Sequence, residues 1–447
     1  MATKFLNGLH FPWMTHGRAT IYGMLSPAWQ LVSGPVSLVL IIYCLTEELQ
    51  GYFYTFHSLV GLKSFFELGL YLVIVNTASH EWSRLDLTEA GEITGDFNAR
   101  SRLISLGRFI FKWYSTVGIC FILIVGVTGF YIMSGKAGTM SGWGSQWAAF
   151  VLIYGFILWG LPFNSLLEGC NQILTVNKFR FYQAVLGTTV MWIALLAGAG
   201  LWSIVYFAAV LLIRDLYLLL VQYKNFFKPF FRSPEGEVIS WKNELLPMQW
   251  RLALSGVVNY FAYWLYTPVM FYFYGPVIAG RMGITWHIIS TMQLLGMAWI
   301  NTRVPACGML VAQKKYAELD RFWLRTSVTS VMVVLISALS FYFFVNVINR
   351  LEITWSQRLL GTLPTAYLLT GSVLMQISQC MSCYFRAHKR EPILVMSVTT
   401  SLLLGILVII LGKFHGPAGA SAAYMLVMCI AVVWEVLILY SFRKTEH

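Results

Sequence analysis

Lys63 and Glu67 stand four positions apart in "LVGLKSFFELGLYL" (59–72), a run otherwise made largely of Leu, Phe, Val and Gly. A charge at bilayer depth costs roughly 2.5–3.5 kcal/mol on insertion scales, so such residues face a bundle interior or a watery cavity and mark functional sites. At i and i+4 on a helix the two share one face. Two chemistries fit that spacing. The pair can neutralise itself, or the ammonium can hold an anion while the carboxylate positions it or relays protons. Lys preceding Glu is the weaker order for an intrahelical pair, which leaves room for an outside partner. Both readings stay open.

A second set lies in "GPVIAGRMGITWHIISTMQLLGMAWINTRVPACG" (275–308), where Arg281, His287 and Gln293 recur every six residues. Successive members turn about 240°, so they do not share one narrow face. Arg281 sits one to two turns from the outer end, as a cavity cation or as a residue that snorkels to the headgroups. His287 reads as an interior histidine or a proton carrier, and His57 matches it at an offset of 230 residues. Glu67, His57 and His287 are the candidates for proton coupling. Arg18 and Arg251 open the first apolar run of each half, as anchors or as contacts for an anionic headgroup. Asn164 and Glu168 share a face at i, i+4. Arg214 and Asp215 are adjacent and read as structural, while Glu435, near the end of the last run, reads as reaching water.

The elements that carry these residues follow from composition. Of 447 residues, 58% are hydrophobic and 11% charged, with a mean hydropathy of +0.67, against about 25% charged in soluble domains. This is the composition of a polytopic membrane protein. The opening "MATKFLNGLHFPWMTHGRAT" lacks the continuous apolar core and small-residue cleavage site of a removable signal. A span needs about 20 predominantly apolar residues. Twelve such runs are expected, near 22–46, 53–77, 109–133, 147–171, 180–199, 201–223, 250–273, 276–300, 327–348, 360–385, 392–412 and 417–441. The fold class is all-α, with no segment reading as a strand.

The formal net charge of +12 is a topology signal rather than a nucleic-acid surface. With the N-terminus inside, 24 of the 31 Lys and Arg fall in cytoplasmic segments, 4 outside and 3 within spans, and that excess fixes both termini in the cytoplasm. The polar stretch 223–250 divides the chain into an N-terminal six-helix lobe (1–223), a cytoplasmic linker (224–249) and a C-terminal six-helix lobe (250–447). "TFHSL" (55–59) and "TWHII" (285–289) occupy corresponding places, which sets Lys63 opposite Gln293. Two six-span halves of like topology form a parallel repeat, an arrangement suited to alternating access.

No GxxxxGK[ST], HExxH or Ser/His/Asp pattern is present, and outer loops are too short for a catalytic domain. The chain reads as a transporter, not an enzyme, with no cofactor and no metal expected. The seven cysteines, including the CxxC of Cys380 and Cys383, lie mostly in apolar runs and read as packing residues.

Twelve spans in two lobes, "EELQGYFYTFHSLVGLKSFFELGL" in the second span and "FYGPVIAGRMGITWHIIS" opening the eighth together resemble the polysaccharide-type (Wzx-like) flippases of the multidrug/oligosaccharidyl-lipid/polysaccharide (MOP) exporter superfamily. The resemblance implies a MATE/MOP-like fold of two pseudo-symmetric lobes in the bacterial inner membrane. It implies alternating-access translocation of undecaprenyl-pyrophosphate-linked oligosaccharide to the outer leaflet, for O-antigen (lipopolysaccharide), capsule or exopolysaccharide. It also implies a cationic cavity holding Lys63, Glu67, His57, Arg251, Arg281, His287 and Gln293. The partners are then the lipid-linked oligosaccharide, membrane lipids and other polysaccharide-assembly proteins, with no nucleic acid. A drug or cation antiporter of the same superfamily and a non-flipping subunit or enzyme of envelope polysaccharide synthesis are the alternatives.

Overall fold

Apolar runs in lipid satisfy their backbone groups internally, so helices are the expected outcome. The computed structural model describes residues 12–135, 142–247, 249–250, 253, 260, 264–301, 303–388 and 392–446. The N-terminal half contains helices α1 (Pro12–Cys44), α2 (Glu47–Val60), α3 (Lys63–Glu67) and α4 (Leu70–Trp82). It continues with α5 (Phe97–Ser134), α6 (Trp143–Gly169), α7 (Ile173–Leu196) and α8 (Trp202–Tyr217), then the short α9 (Lys224–Phe227). The C-terminal half contains α10 (Tyr266–Tyr274), α11 (Pro276–Asn301), α12 (Val304–Ala312), α13 (Tyr316–Arg350), α14 (Thr362–Ala387) and α15 (Leu394–Glu446).

Eight helices among the described residues are long and apolar enough to cross a membrane, or nine if the bent pair Glu47–Glu67 and Leu70–Trp82 is one span. The remaining expected runs are accounted for locally. α14 spans 26 residues but carries several Thr, Ser and Gln residues. α15 breaks at Gly416 (φ 59°, ψ −144°) ahead of Pro417, so it contains both of the last two runs. Of the run 250–273 only α10 and a few residues before it are described.

Two compact units emerge. The first comprises residues 1–45, 62–130 and 141–257, the second 46–61, 131–140 and 258–447. In the first, α1 packs on α7: the Trp29 indole donates to Thr188 Oγ1 at 2.9 Å and the Trp192 indole to Ser37 Oγ at 2.8 Å. α5 closes on α6, where Trp147 donates to the Gly126 carbonyl at 3.0 Å. Expectation fails in one place. Leu85–Leu87 and Ile93–Gly95 form an antiparallel two-stranded hairpin, pairing Leu85 with Gly95 and Leu87 with Ile93. Two runs of three residues are too short for an alternating pattern to stand out. Beside it, buried Glu81 accepts from Arg102 Nε at 2.8 Å, and Arg102 reaches Glu244 at 2.5 Å, tying the linker to α5.

In the second unit α2 lies directly against α11. Small residues make that approach possible, as they do generally between membrane helices. A Cβ at Gly51 would fall 1.9 Å from the Pro276 carbonyl oxygen, and one at Gly283 would fall 2.3 Å from Tyr54 Cβ. α14 and α15 meet as closely, since a Cβ at Gly371 would lie 2.4 Å from the Tyr424 ring.

Candidate functional site

The second span is not a continuous helix. α2 ends at Val60 and α3 runs only from Lys63 to Glu67. Leu68 (φ 50°) and Gly69 (φ 66°) then both adopt left-handed geometry before α4 begins. A leucine held there costs on the order of 1–3 kcal/mol, and such strain concentrates at functional sites. Irregular backbone at membrane depth is tolerated only where protein covers it or where it lines a watery space. Lys63 and Glu67 stand at the two ends of the short helix between these interruptions.

Around them the first unit assembles a charge cluster from three other helices. The Lys63 ammonium lies 5.5 Å from the centroid of the Tyr154 ring on α6. The charges acting on it are those of Glu67, Arg214 and Asp215. Lys63 is exposed and Glu67 half-buried, and Glu67 is felt in turn by buried Tyr114 on α5. Asp215, 7% exposed, accepts from Asn164 Nδ2 at 2.9 Å and from Arg214 Nε and Nη2 at 3.0 and 2.6 Å. Arg214 and Asp215, read from the sequence as structural, therefore belong to the surroundings of Lys63. A residue 151 positions away leaves no spacing signal; the only clue was an Arg–Asp pair inside an apolar run. Farther along α6, Glu168 is ion-paired with Arg180 and accepts from the Tyr71 hydroxyl.

The other predicted residues fall in the second unit. His57 rests beside the Trp264 ring, centroids 5.2 Å apart, and is exposed in an otherwise buried stretch of α2. His287, exposed on α11, faces Tyr54 with centroids 6.2 Å apart. Arg281 pairs with Glu47 at 3.4 Å, which partly neutralises it. Gln293 donates to the Ser372 carbonyl on α14, so its amide is occupied in helix packing. Arg251 lies outside the described residues. Gln50 and Arg358, not picked out by sequence, bind each other through Arg358 Nη1 and Gln50 Oε1 at 3.4 Å. Cys307, Cys380 and Cys383 are buried among Ile300, Met381, Tyr384, Phe385 and their neighbours.

Glu435 departs from its expected contact with water: it is 1% exposed, and its Oε1 accepts from Ser378 Oγ at 2.9 Å.

No family model matches the chain, and no curated protein does. Solved structures do match. The lipid II flippase MurJ in an inward closed conformation superposes with a TM-score of 0.66 at 14% identity, covering 94% of this chain and 87% of that one. An inward-facing multidrug resistance MATE family transporter of the MOP superfamily gives 0.62 at 13% identity, covering 96% of each chain. The MATE multidrug transporter DinF-BH gives 0.55 at 14%, covering 97% of this chain and 96% of that one. The chain has the MATE/MOP transporter fold.

Proposed function

On the premise of a fold held in common with MATE transporters and the MurJ flippase, we propose that this chain is a membrane translocase. Its substrate is an undecaprenyl-pyrophosphate-linked oligosaccharide, moved from the inner to the outer leaflet of the bacterial inner membrane for O-antigen, capsule or exopolysaccharide assembly. One observation carries the reading. Lys63 sits at a break in a membrane-depth helix, exposed, and turned to an aromatic face rather than locked in a direct ion pair with Glu67. An ammonium in that state is a point charge free to take a pyrophosphate.

The surroundings set how strongly it does so. Asp215 is already engaged by Arg214 and Asn164, so its charge is shared and Lys63 keeps net positive character. Glu67, on the same short helix, moderates that charge and lets the anion leave again. Conduction through a membrane requires both attraction and release. Exposed His57 and His287, backed by Trp264 and Tyr54, offer donors and ring faces to a glycan in the second unit. The long prenyl tail stays in lipid.

Complementation tests this. In a strain lacking the gene, the wild-type chain restores surface polysaccharide, Lys63→Arg restores part of it and Lys63→Ala fails although it is present in the membrane at wild-type level. Full rescue by Lys63→Ala would refute the site. Unchanged surface glycan in the deletion strain, with increased sensitivity to cationic compounds instead, would favour the antiporter reading.

A further inference from the structure

Glu435 lies on α15 about a turn and a half before the end of the last span, and neither the headgroup site nor the glycan contacts use it. Its side chain is enclosed where α15 packs on α14, with Ser378 Oγ donating to Oε1 at 2.9 Å. Oε2 is also buried and has no hydrogen-bond partner among the described residues. Among the described residues toward this end of the packed elements, the charged and titratable groups include Asp320, Arg321 and Arg325 on α13, Cys380, Cys383, Tyr384, Arg386 and His388 on and just after α14, and Arg443 and Lys444 two turns farther along α15. None of them acts on Glu435: burial and Ser378 make up its environment. Arg443 and Asp320 instead bind each other at 3.1 Å.

An isolated carboxylate in such a place is costly, and the group neutralises rather than remain charged. A protonated carboxyl needs no counter-charge, accepts from Ser378 through one oxygen and carries hydrogen on the other. From this geometry we infer that Glu435 is a proton-binding site of the C-terminal unit, and that it releases its proton only when the α14–α15 contact opens to water. The close approach of Gly371 to Tyr424 on the same pair of helices makes that contact a closed one at present. The site is independent of which substrate the protein moves, and it is distinct from Glu67, His57 and His287.

The test uses the full chain in proteoliposomes and dicyclohexylcarbodiimide, an apolar reagent that adds to protonated carboxyls. Peptide mass spectrometry follows labelling of Glu435 across pH 5 to 9, and the fluorescence of adjacent Trp434 follows the local environment. Labelling at low and neutral pH that declines as pH rises is expected, together with a Trp434 transition over the same range. Glu435→Gln, which has the shape of the protonated acid, keeps the fold, is not labelled and loses the transition. Absence of labelling, labelling independent of pH, or an unchanged transition in Glu435→Gln would overturn the proposal.

Discussion

Replacing Gly51 by Ala probes the contact that places the second unit's site residues. The added methyl would lie 1.9 Å from the Pro276 carbonyl oxygen, with the carbonyl carbon at 2.4 Å and Cα at 2.7 Å. Ordinary contact begins near 3.4 Å, so the overlap is about 1.5 Å. All three obstacles are backbone, and no side-chain rotation relieves them. Overpacking of this kind typically costs ~1–3 kcal/mol, and the rigid neighbour puts Gly51→Ala at the upper end. Gly34→Ala in α1 is the matched control, since nothing lies within 4 Å of its new Cβ. There the substitution gains roughly 0.5–1 kcal/mol from helix propensity alone. Thermal unfolding of the two purified variants in one detergent, followed by tryptophan fluorescence, separates them: Gly51→Ala melts well below wild type and Gly34→Ala at or above it. Equal melting of the two would refute the close α2–α11 packing and with it the placement of His57 and His287.

Further outcomes follow from the charge networks. Asp215→Ala leaves the mostly buried Arg214 without its counter-charge and removes the acceptor of Asn164, for a loss of about 3–5 kcal/mol, read as lower yield and lower melting temperature than Asp215→Asn. In the polar stretch between the two halves, the Ser240 backbone N–H and then Arg102 hold the Glu244 carboxyl below its usual range. A depressed folded value means a contribution present above the unfolded value near pH 4.5 and lost as pH falls through the folded one; Glu244→Gln should flatten that acid limb of the unfolding curve. Gly283→Leu, whose first side-chain carbon already meets Tyr54 Cβ at 2.3 Å, should displace α2, read as a melting temperature well below wild type.

Much of the architecture was readable because lipid imposes it. Eleven of the twelve apolar runs correspond to described helices or helix segments, and the i, i+4 pair of Lys63 and Glu67 falls on the short helix of the interrupted second run. What the sequence hid has physical causes. Leu68 adopts a left-handed conformation, and leucine carries no signal for it, so the break looked like continuous helix. Asp215 joins Lys63 through tertiary packing of α8, which spacing does not encode. Glu435 seemed close enough to water by position, but the approach of α14 seals it in. Arg281 and Gln293 were legible as polar residues in an apolar run, yet each is engaged by a local partner, Glu47 and Ser372. Polarity at depth locates a position of interest without saying what it binds.

The central claim is that Lys63 holds the anionic headgroup during translocation. A charge-assisted contact is worth about 1.5–3 kcal/mol, or roughly tenfold to a hundredfold in rate. The direct measurement is flipping of a fluorescent undecaprenyl-pyrophosphate-linked oligosaccharide by the purified chain in proteoliposomes. Lys63→Ala should slow it by that factor and Lys63→Glu should abolish it, while Lys63→Arg retains part of the rate. Equal rates for wild type and Lys63→Glu would contradict the account.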